Sequence, residues 1–259
     1  MFRRVIVCAF IMVLALSSVA SAGRFDFAII QPGQPGSTAD AQPVMDELAK
    51  YLSAKLGENV QGVYYNDLKA TLDALSRGTP AWAIAGLTFF ESYKNDFSMI
   101  PVASTLPQGM KKDVWRLIVP AAGMDNPESV KGTVYGSMLY TPKGMEILFQ
   151  GTKGADINAE GTHKALRMLR KVNKGKIAGV VLDAVQYSVI KDSDRYANTK
   201  VIYTSPELPT SPVVWFGKTN DDSLRLQGVL LDMNKDPEAK GLLKLLQTSG
   251  FNPADKVLH

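Results

Sequence analysis

The chain has 259 residues, of which 46% are hydrophobic and 21% are charged, with a formal net charge of +4 at neutral pH. This length allows a sizeable core, in one large domain or in two smaller lobes. Without Arg3 and Arg4 of the N-terminal segment the balance falls to 27 basic against 25 acidic residues, and we identify no Lys/Arg-rich patch that would favour nucleic acid as a partner.

The N-terminal segment has the pattern of a secretory signal peptide. Arg3 and Arg4 form a positive start, Val5–Leu16 is a compact apolar run, and Ala20–Ala22 fits the cleavage site. The apolar run is too short for a stable membrane span. The sequence therefore predicts an exported, periplasmic protein whose mature chain begins at Gly23.

Cysteine chemistry is excluded from the mature chain. Cys8 is the one cysteine, and it lies inside the predicted signal peptide. Its position excludes disulfides, thiol catalysis, cysteine-ligated zinc and c-type haem. The methionines have no histidine at ligand spacing, so we expect no metal and no cofactor.

The first block of the mature chain predicts strands that alternate with helices. A helix between Ser37 and Gly57 places Val44, Leu48, Leu52 and Leu56 at helical spacing, and further helices cover 66–78 and 88–93. The predicted strands cover 25–30, 60–65, 82–87 and 100–103. This alternation favours a mainly parallel sheet built from right-handed crossovers.

The alternation restarts in a second block. Strands are predicted at 115–120, 133–138, 177–182, 201–204 and 213–216, and helices at 144–149, 162–175, 223–234 and 238–248. Thr162 is the expected N-cap of the third-last helix and Gly175 its end. Two α/β lobes fit this order, with the tail returning to the first lobe. A single doubly wound sheet would use the same elements and stays open as an alternative.

Polar residues flank one helix–strand unit of the second block. His163, the only histidine besides His259, lies at the expected helix start, and Asp183 and Tyr187 follow the strand. Open α/β sheets bind ligands at the carboxyl ends of their strands, so these residues are candidate ligand contacts. The alternative is a surface histidine and an ordinary helix-capping aspartate.

A series of short motifs runs through nearly the whole mature chain in one order. It comprises Leu48–Gly57, Tyr65–Leu68, Leu75–Gly86, Ser129–Gly132, Gly161–His163, Gly175–Asp183, Asp236–Glu238 and Gly250–Phe251. In this order the chain resembles the periplasmic substrate-binding proteins of phosphate, phosphite and phosphonate ABC transporters.

The resemblance implies a type 2 periplasmic-binding-protein fold, in which two α/β lobes are joined by two hinge crossings around a ligand cleft. After the signal peptide at 1–22, it implies a first lobe of 23–112 and 208–259, and a second lobe of 113–207. The positions that match the family's ligand contacts are Tyr65, Thr88, Tyr140, Thr141, His163 and Asp183.

One loop departs from the family pattern. The family has a serine–threonine–serine–glycine run that holds the oxyanion, whereas this chain has Leu139–Gly144, in which Thr141 can still donate a hydrogen bond and Lys143 adds a charge. Asp183 can only accept hydrogen bonds, so it favours a ligand that carries a proton or an amino group and rejects a dianion or sulfate.

The leading functional hypothesis is therefore a solute-binding protein that captures a small oxyanion, such as phosphate, phosphite or a phosphonate. Its expected partner is the permease of an ABC transporter or a membrane sensor kinase, and we expect a monomer. The alternative is a divergent family member that acts as a sensory or protein-interaction module with another ligand or none. An enzyme is not expected, because no nucleophile elbow, HExxH motif, Walker loop or dinucleotide fingerprint is present.

Overall fold

The computed structural model describes residues 23–150 and 157–258, so the predicted signal peptide lies outside the described part. The strands are β1 (Phe27–Ile30), β2 (Gly62–Tyr65), β3 (Trp82–Ala85), β4 (Met99–Thr105), β5 (Lys112–Asp113), β6 (Arg116–Pro120), β7 (Thr133–Gly136), β8 (Asn158–Gly161), β9 (Gly179–Leu182), β10 (Thr199–Thr204), β11 (Leu208–Pro209), β12 (Pro212–Phe216) and β13 (Phe251–Pro253). The α-helices are α1 (Thr38–Leu56), α2 (Leu68–Arg77), α3 (Leu87–Tyr93), α4 (Lys143–Phe149), α5 (Ala165–Val172), α6 (Ala184–Ser188), α7 (Asp221–Asp232) and α8 (Lys240–Leu245).

The first sheet has six strands in the order β13-β4-β12-β3-β1-β2. Strand β1 is parallel to both of its neighbours, but β12 is antiparallel to β3 and β4, and β13 is antiparallel to β4. The expectation of a mainly parallel sheet is therefore wrong. Strand β12 enters this sheet directly from the second block of the chain, so it runs against β3 instead of following a crossover helix.

The second sheet has five strands in the order β10-β6-β9-β7-β8. Strand β7 is parallel to β8 and β9, whereas β6 is antiparallel to β9 and β10. Two edge strands, β8 and β13, were not predicted. Strand β8 has the polar sequence Asn-Ala-Glu-Gly, and its strand conformation follows from pairing with β7 rather than from its own propensity.

Two short crossings connect the sheets. Strands β5 and β11 pair with each other, with Lys112 opposite Pro209 and Asp113 opposite Leu208. The alternative of one doubly wound sheet is therefore wrong. The expected lobe boundaries at 112/113 and 207/208 fall at this ladder and stay predictions. We call the part around the six-stranded sheet lobe 1 and the part around the five-stranded sheet lobe 2.

Helix α1 shows how local sequence sets the first lobe. The Ser37 hydroxyl oxygen accepts from the amide of Asp40, the Asp40 carboxylate accepts from the amide of Ser37, and Gly57 ends the helix at φ 68°. The buried face of α1 includes Leu48 and Leu52, which join one core cluster with Phe27, Trp82 and other residues of lobe 1. Burial of such side chains contributes about 1.5–3 kcal/mol each.

A second core cluster contains residues of both lobes. Phe89 and Phe90 of α3 belong to it together with Leu148 and Phe149 of α4. The two lobes are therefore packed against each other across the cleft. Among residues 23–150 and 157–258, no helix combines the length and apolar character that a membrane crossing requires.

Candidate functional site

A cavity of about 100 Å³ lies between the two lobes. Its walls come from the loops that follow β1, β3, β7 and β9, and from the two crossings. The lining residues are Gln31, Pro32, Gln34, Gly86, Leu87, Thr88, Asp113, Trp115, Ser137, Met138, Asp183, Pro209 and Ser211. Four of the contributing loops lie at the carboxyl ends of parallel strands, where α/β sheets place their ligands. At roughly 10–15 Å³ per water, the cavity has room for a ligand of several heavy atoms.

Asp183 has two structural roles. It is the N-cap of α6, where its Oδ1 accepts from the amide of Gln186 at 2.7 Å and its own amide donates to Gln186 Oε1 at 3.4 Å. The same half-buried side chain lines the cavity. The helix-capping interpretation of Asp183 thus describes the structure, and the capping fixes the carboxylate where a ligand could meet it.

Burial raises the pKa of Asp183 to about 6, and the nearby Asp113 carboxylate adds to the rise. Both effects disfavour the charged form. The hydrogen bonds from the amides of Gln186 and Val185 act in the opposite direction. Asp183 is therefore a carboxyl group that gains from a hydrogen-bond donor or a positive charge in the cavity.

Asp113 stands on the β5 crossing and is held by three donors. Its Oδ1 accepts from the amides of Val114 at 2.7 Å and Ala184 at 2.9 Å, and its Oδ2 accepts from Trp115 Nε1 at 2.8 Å. These bonds tie the crossing to the start of α6 beside Asp183. Asp113 was not predicted as a site residue, because its role follows from the position of the crossing and not from a sequence motif.

Hydrogen-bond donors on the cavity wall are neutral. Ser137 is 5% exposed and accepts from Gln186 Nε2 at 3.0 Å, so its own hydroxyl proton is free to be donated. Thr88 supplies a second hydroxyl, and Gln31 also lines the cavity. Within the described residues, no lysine, arginine or histidine lines the cavity. Because its charged groups are both carboxylates, the cavity is acidic.

The structure brings two of the six predicted ligand contacts to the cavity, Thr88 and Asp183. Tyr65, at the end of β2, is half-buried and packs against the second core cluster instead. Thr141 is 5% exposed, and its hydroxyl oxygen is hydrogen bonded at 2.8 Å to that of Ser92 on α3. Thr141 therefore joins the lobes, and it is not among the residues that line the cavity.

Tyr140 and His163 lie together at the rim between the lobes. Their ring centroids are 5.2 Å apart, and His163 Nδ1 is 3.0 Å from the carbonyl oxygen of Gln34 in lobe 1. Gly33 and Gly161 leave room for the Tyr140 ring, because a Cβ on Gly161 would come within 2.5 Å of its Cγ. Neither Tyr140 nor His163 is among the lining residues of the cavity.

The expected N-cap at Thr162 is wrong. Helix α5 begins at Ala165 and its N-cap is Lys164, whose amide is bonded to Thr162 Oγ1 at 3.2 Å. The amide of Thr162 still donates to the carbonyl of Gly136 on β7 at 3.0 Å. The chain at Thr162 therefore continues the ladder of β8 and cannot yet turn into a helix.

Two cavity residues were not predicted although the sequence carries a signal for them. Gln31 and Ser137 directly follow β1 and β7, and the carboxyl-end rule that selected Asp183 would have selected them too.

In residues 23–150 and 157–258, no group of three histidine, aspartate or glutamate side chains could hold a metal ion.

Comparison with known protein families gives one match over most of the chain. The model of the family described as ABC transporter, phosphonate, periplasmic substrate-binding protein matches residues 35–257. No curated protein sequence matches the chain.

Solved structures with a similar fold are numerous. A Xanthomonas citri protein, XAC2383, bound to chloride ion has a TM-score of 0.72 and 16% identity, covering 90% of this chain and 92% of that one. A binding-protein component of an ABC phosphonate transporter from Pseudomonas aeruginosa has a TM-score of 0.65 and 16% identity, covering 90% and 82%. PhnD1 from Prochlorococcus marinus, in complex with methylphosphonate, has a TM-score of 0.64 and 15% identity, covering 90% and 93%. At these identities the likeness shows the fold, and it confirms the expected two-lobed periplasmic-binding class.

Proposed function

The chain belongs to the family of periplasmic substrate-binding proteins of phosphonate ABC transporters, and from that premise we propose that it captures a small phosphonate in the inter-lobe cavity. The family is a substrate-binding component of a transporter, so the expectation that the chain is not an enzyme is confirmed. Its partner is then the transporter's permease rather than a sensor kinase. The monomeric state and export through cleavage of residues 1–22 belong to the same proposal.

The acidic lining of the cavity narrows the ligand class. Asp113 and Asp183 line it, and no described lining residue is basic. Two like unit charges about 5 Å apart repel by about 3 kcal/mol at an effective dielectric of about 20. A doubly charged phosphonate or sulfate therefore meets repulsion that a protonated or amino-substituted ligand avoids. The ligand that fits best is a phosphonate that also carries an ammonium group.

The neutral donors suit the other end of such a ligand. Hydroxyl groups of Ser137 and Thr88 and the amide side chain of Gln31 can donate to phosphonate oxygens without adding charge. The other predicted contacts are proposed to hold the cleft closed around this site; they are Tyr65, Tyr140, Thr141 and His163. Thr141 and His163 contact residues of lobe 1, and Tyr140 lies beside His163.

Isothermal titration with phosphate, phosphite, methylphosphonate and aminoethylphosphonate tests the proposal. We expect aminoethylphosphonate to bind at least about tenfold more tightly than methylphosphonate, which is about 1.4 kcal/mol. The variant Asp183→Asn should lose that preference, because asparagine keeps the helix cap but not the charge. The matched control Asp67→Asn changes an N-cap aspartate of α2 that does not line the cavity, and it should keep the preference.

Two results would contradict the proposal. If the folded protein binds none of the four ligands, the phosphonate assignment is wrong. If methylphosphonate and aminoethylphosphonate bind equally well to wild type, the acidic lining does not select the ligand.

A further inference from the structure

A concentrated positive charge lies on lobe 2, outside the cavity. Residues 164–176 contain six basic side chains and no acidic one. All six are exposed. We call them the basic face: Lys164, Arg167, Arg170, Lys171, Lys174 and Lys176. The expectation that the chain has no Lys/Arg-rich patch does not hold for this segment.

Packing fixes the direction of the basic face. Ala165, Leu169 and Val172 of α5 are buried in the third core cluster, against β6 and β9. Because residues three and four positions apart share a helix face, this burial turns the basic side chains outward. The helix cannot rotate to bury them without exposing part of the core of lobe 2.

The basic face has no internal compensation. Within the described residues, none of its six side chains forms an ion pair, whereas Lys55, Lys143 and Lys200 all do. Arg167 stands three and four positions before Arg170 and Lys171, a spacing at which like charges repel. The remainder of the mature chain has 21 basic and 25 acidic residues, so the excess of positive charge is confined to this segment.

A surface groove adjoins the C-terminal end of α5. Its volume is about 450 Å³, and Lys131, Tyr135, Gly175 and Lys176 are among its lining residues. Lys176 belongs to both the groove and the basic face. The positive surface therefore runs from an exposed helix into a concavity that has a second lysine on its wall.

We infer that the basic face and this groove together form a docking surface for a protein segment that presents several carboxylates. Arginine and lysine pair with carboxylates through charge-assisted hydrogen bonds, and Arg167 and Arg170 offer bidentate geometry. The concave groove admits a protruding peptide segment, which a flat lipid surface does not supply. The apolar face of α5 is buried, and only Leu166, 38% exposed, is a large apolar side chain on its outer side, so α5 cannot insert into a bilayer as amphipathic membrane helices do.

Fluorescence anisotropy with a labelled octaglutamate peptide tests this surface on the full mature chain. We expect saturable binding at low salt that weakens as salt is added. The triple variant Arg167→Gln, Lys171→Gln, Lys174→Gln should bind about tenfold more weakly or worse. Phosphonate titration should be unchanged in this variant, so failure of the docking surface is distinguished from failure of the proposed ligand.

The matched control is Lys218→Gln, Lys240→Gln, Lys244→Gln, which removes the same charge from exposed positions of lobe 1. It should keep peptide binding within about twofold of wild type. Equal losses in both triple variants would overturn the inference, because net charge alone would then explain the binding. Absence of saturable peptide binding would also overturn it. If the wild-type chain then sediments with phosphatidylglycerol vesicles and the Arg167, Lys171 and Lys174 triple variant does not, the surface is a lipid site instead.

Discussion

Asp183 shows how one residue can serve both the fold and a ligand. Its carboxylate caps α6, and the same burial that positions it raises its pKa to about 6. A carboxyl group whose pKa is raised in the native state binds its proton more tightly there than in the unfolded chain. The contribution of the protonated carboxyl to the free energy of unfolding is therefore fully present at low pH, and it is lost as pH rises toward and through about 6.

We predict that Asp183→Asn is more stable than wild type above about pH 7, by up to about 3 kcal/mol, and that the difference vanishes below about pH 4. Asparagine caps a helix as well as aspartate does, so the cap is retained. Urea unfolding of both proteins at about pH 4 and pH 7.5 measures the effect. A difference that is the same at both pH values would show that the charge of Asp183 is not destabilising.

At the scale of single residues, the sequence predicted only part of the site. Asp183 was selected because it follows a buried strand, and Thr88 through the family resemblance. Asp113 could not be found, since it reaches the cavity only because β5 pairs with β11 beside α6. Thr141 was expected at the ligand, and its hydrogen bond to Ser92 depends on how the lobes meet, which local sequence does not encode.

At the scale of elements, helices with complete capping signals were predictable. Helix α1 lies between Ser37 and Gly57 as expected, and α2 begins after Asp67. Edge strands β8 and β13 were missed because their conformation depends on a neighbouring strand. The direction of β12 was missed for the same reason, since a strand's sequence does not tell which way its partner runs.

The basic side chains of helix α5 repel one another, and this repulsion lowers the stability of the helix. Arg167 has basic residues three positions before it and three and four positions after it, Lys164, Arg170 and Lys171. Each like-charge pair at this spacing costs about 0.2–0.5 kcal/mol. The helix is held by its buried face, and its charges oppose its stability.

We therefore predict that Arg167→Glu stabilises the protein by about 1 kcal/mol, because it replaces repulsive pairs with attractive ones. Arg167→Gln, which only removes the charge, should give about half of this gain. Urea unfolding at low salt measures both variants, and high salt should reduce both gains. A glutamate variant that is less stable than the glutamine variant would contradict the electrostatic account.

At the scale of the whole molecule, the two lobes make direct polar contacts. Ser92 of α3 is bonded to Thr141 before α4, and His163 approaches the carbonyl of Gln34. Around these contacts α3 and α4 share one apolar cluster. The described conformation is therefore a closed one, in which residues of the cleft rim hold the lobes together.

We predict that Ser92→Ala increases the open fraction of the ligand-free protein about fivefold, because one neutral hydrogen bond contributes about 1 kcal/mol. Small-angle X-ray scattering should report a larger radius of gyration than for wild type. The control Ser188→Ala removes a hydroxyl that donates to the Val185 carbonyl within α6, and its scattering should match wild type. Identical curves for Ser92→Ala and wild type would mean that this bond does not hold the lobes closed.

The position of Asp113 on the crossing ladder has a consequence for the timing of capture. When two bodies rotate about a hinge, points near the axis move least and points at the rim move most. We therefore expect the Asp113 end of the cavity to change little between the open and the closed protein, so that an incoming solute meets it before the lobes close. The rate at which the solute binds would then depend on the Asp113 end of the cavity. The rim contacts near Thr141 and His163 would set the rate at which the solute leaves.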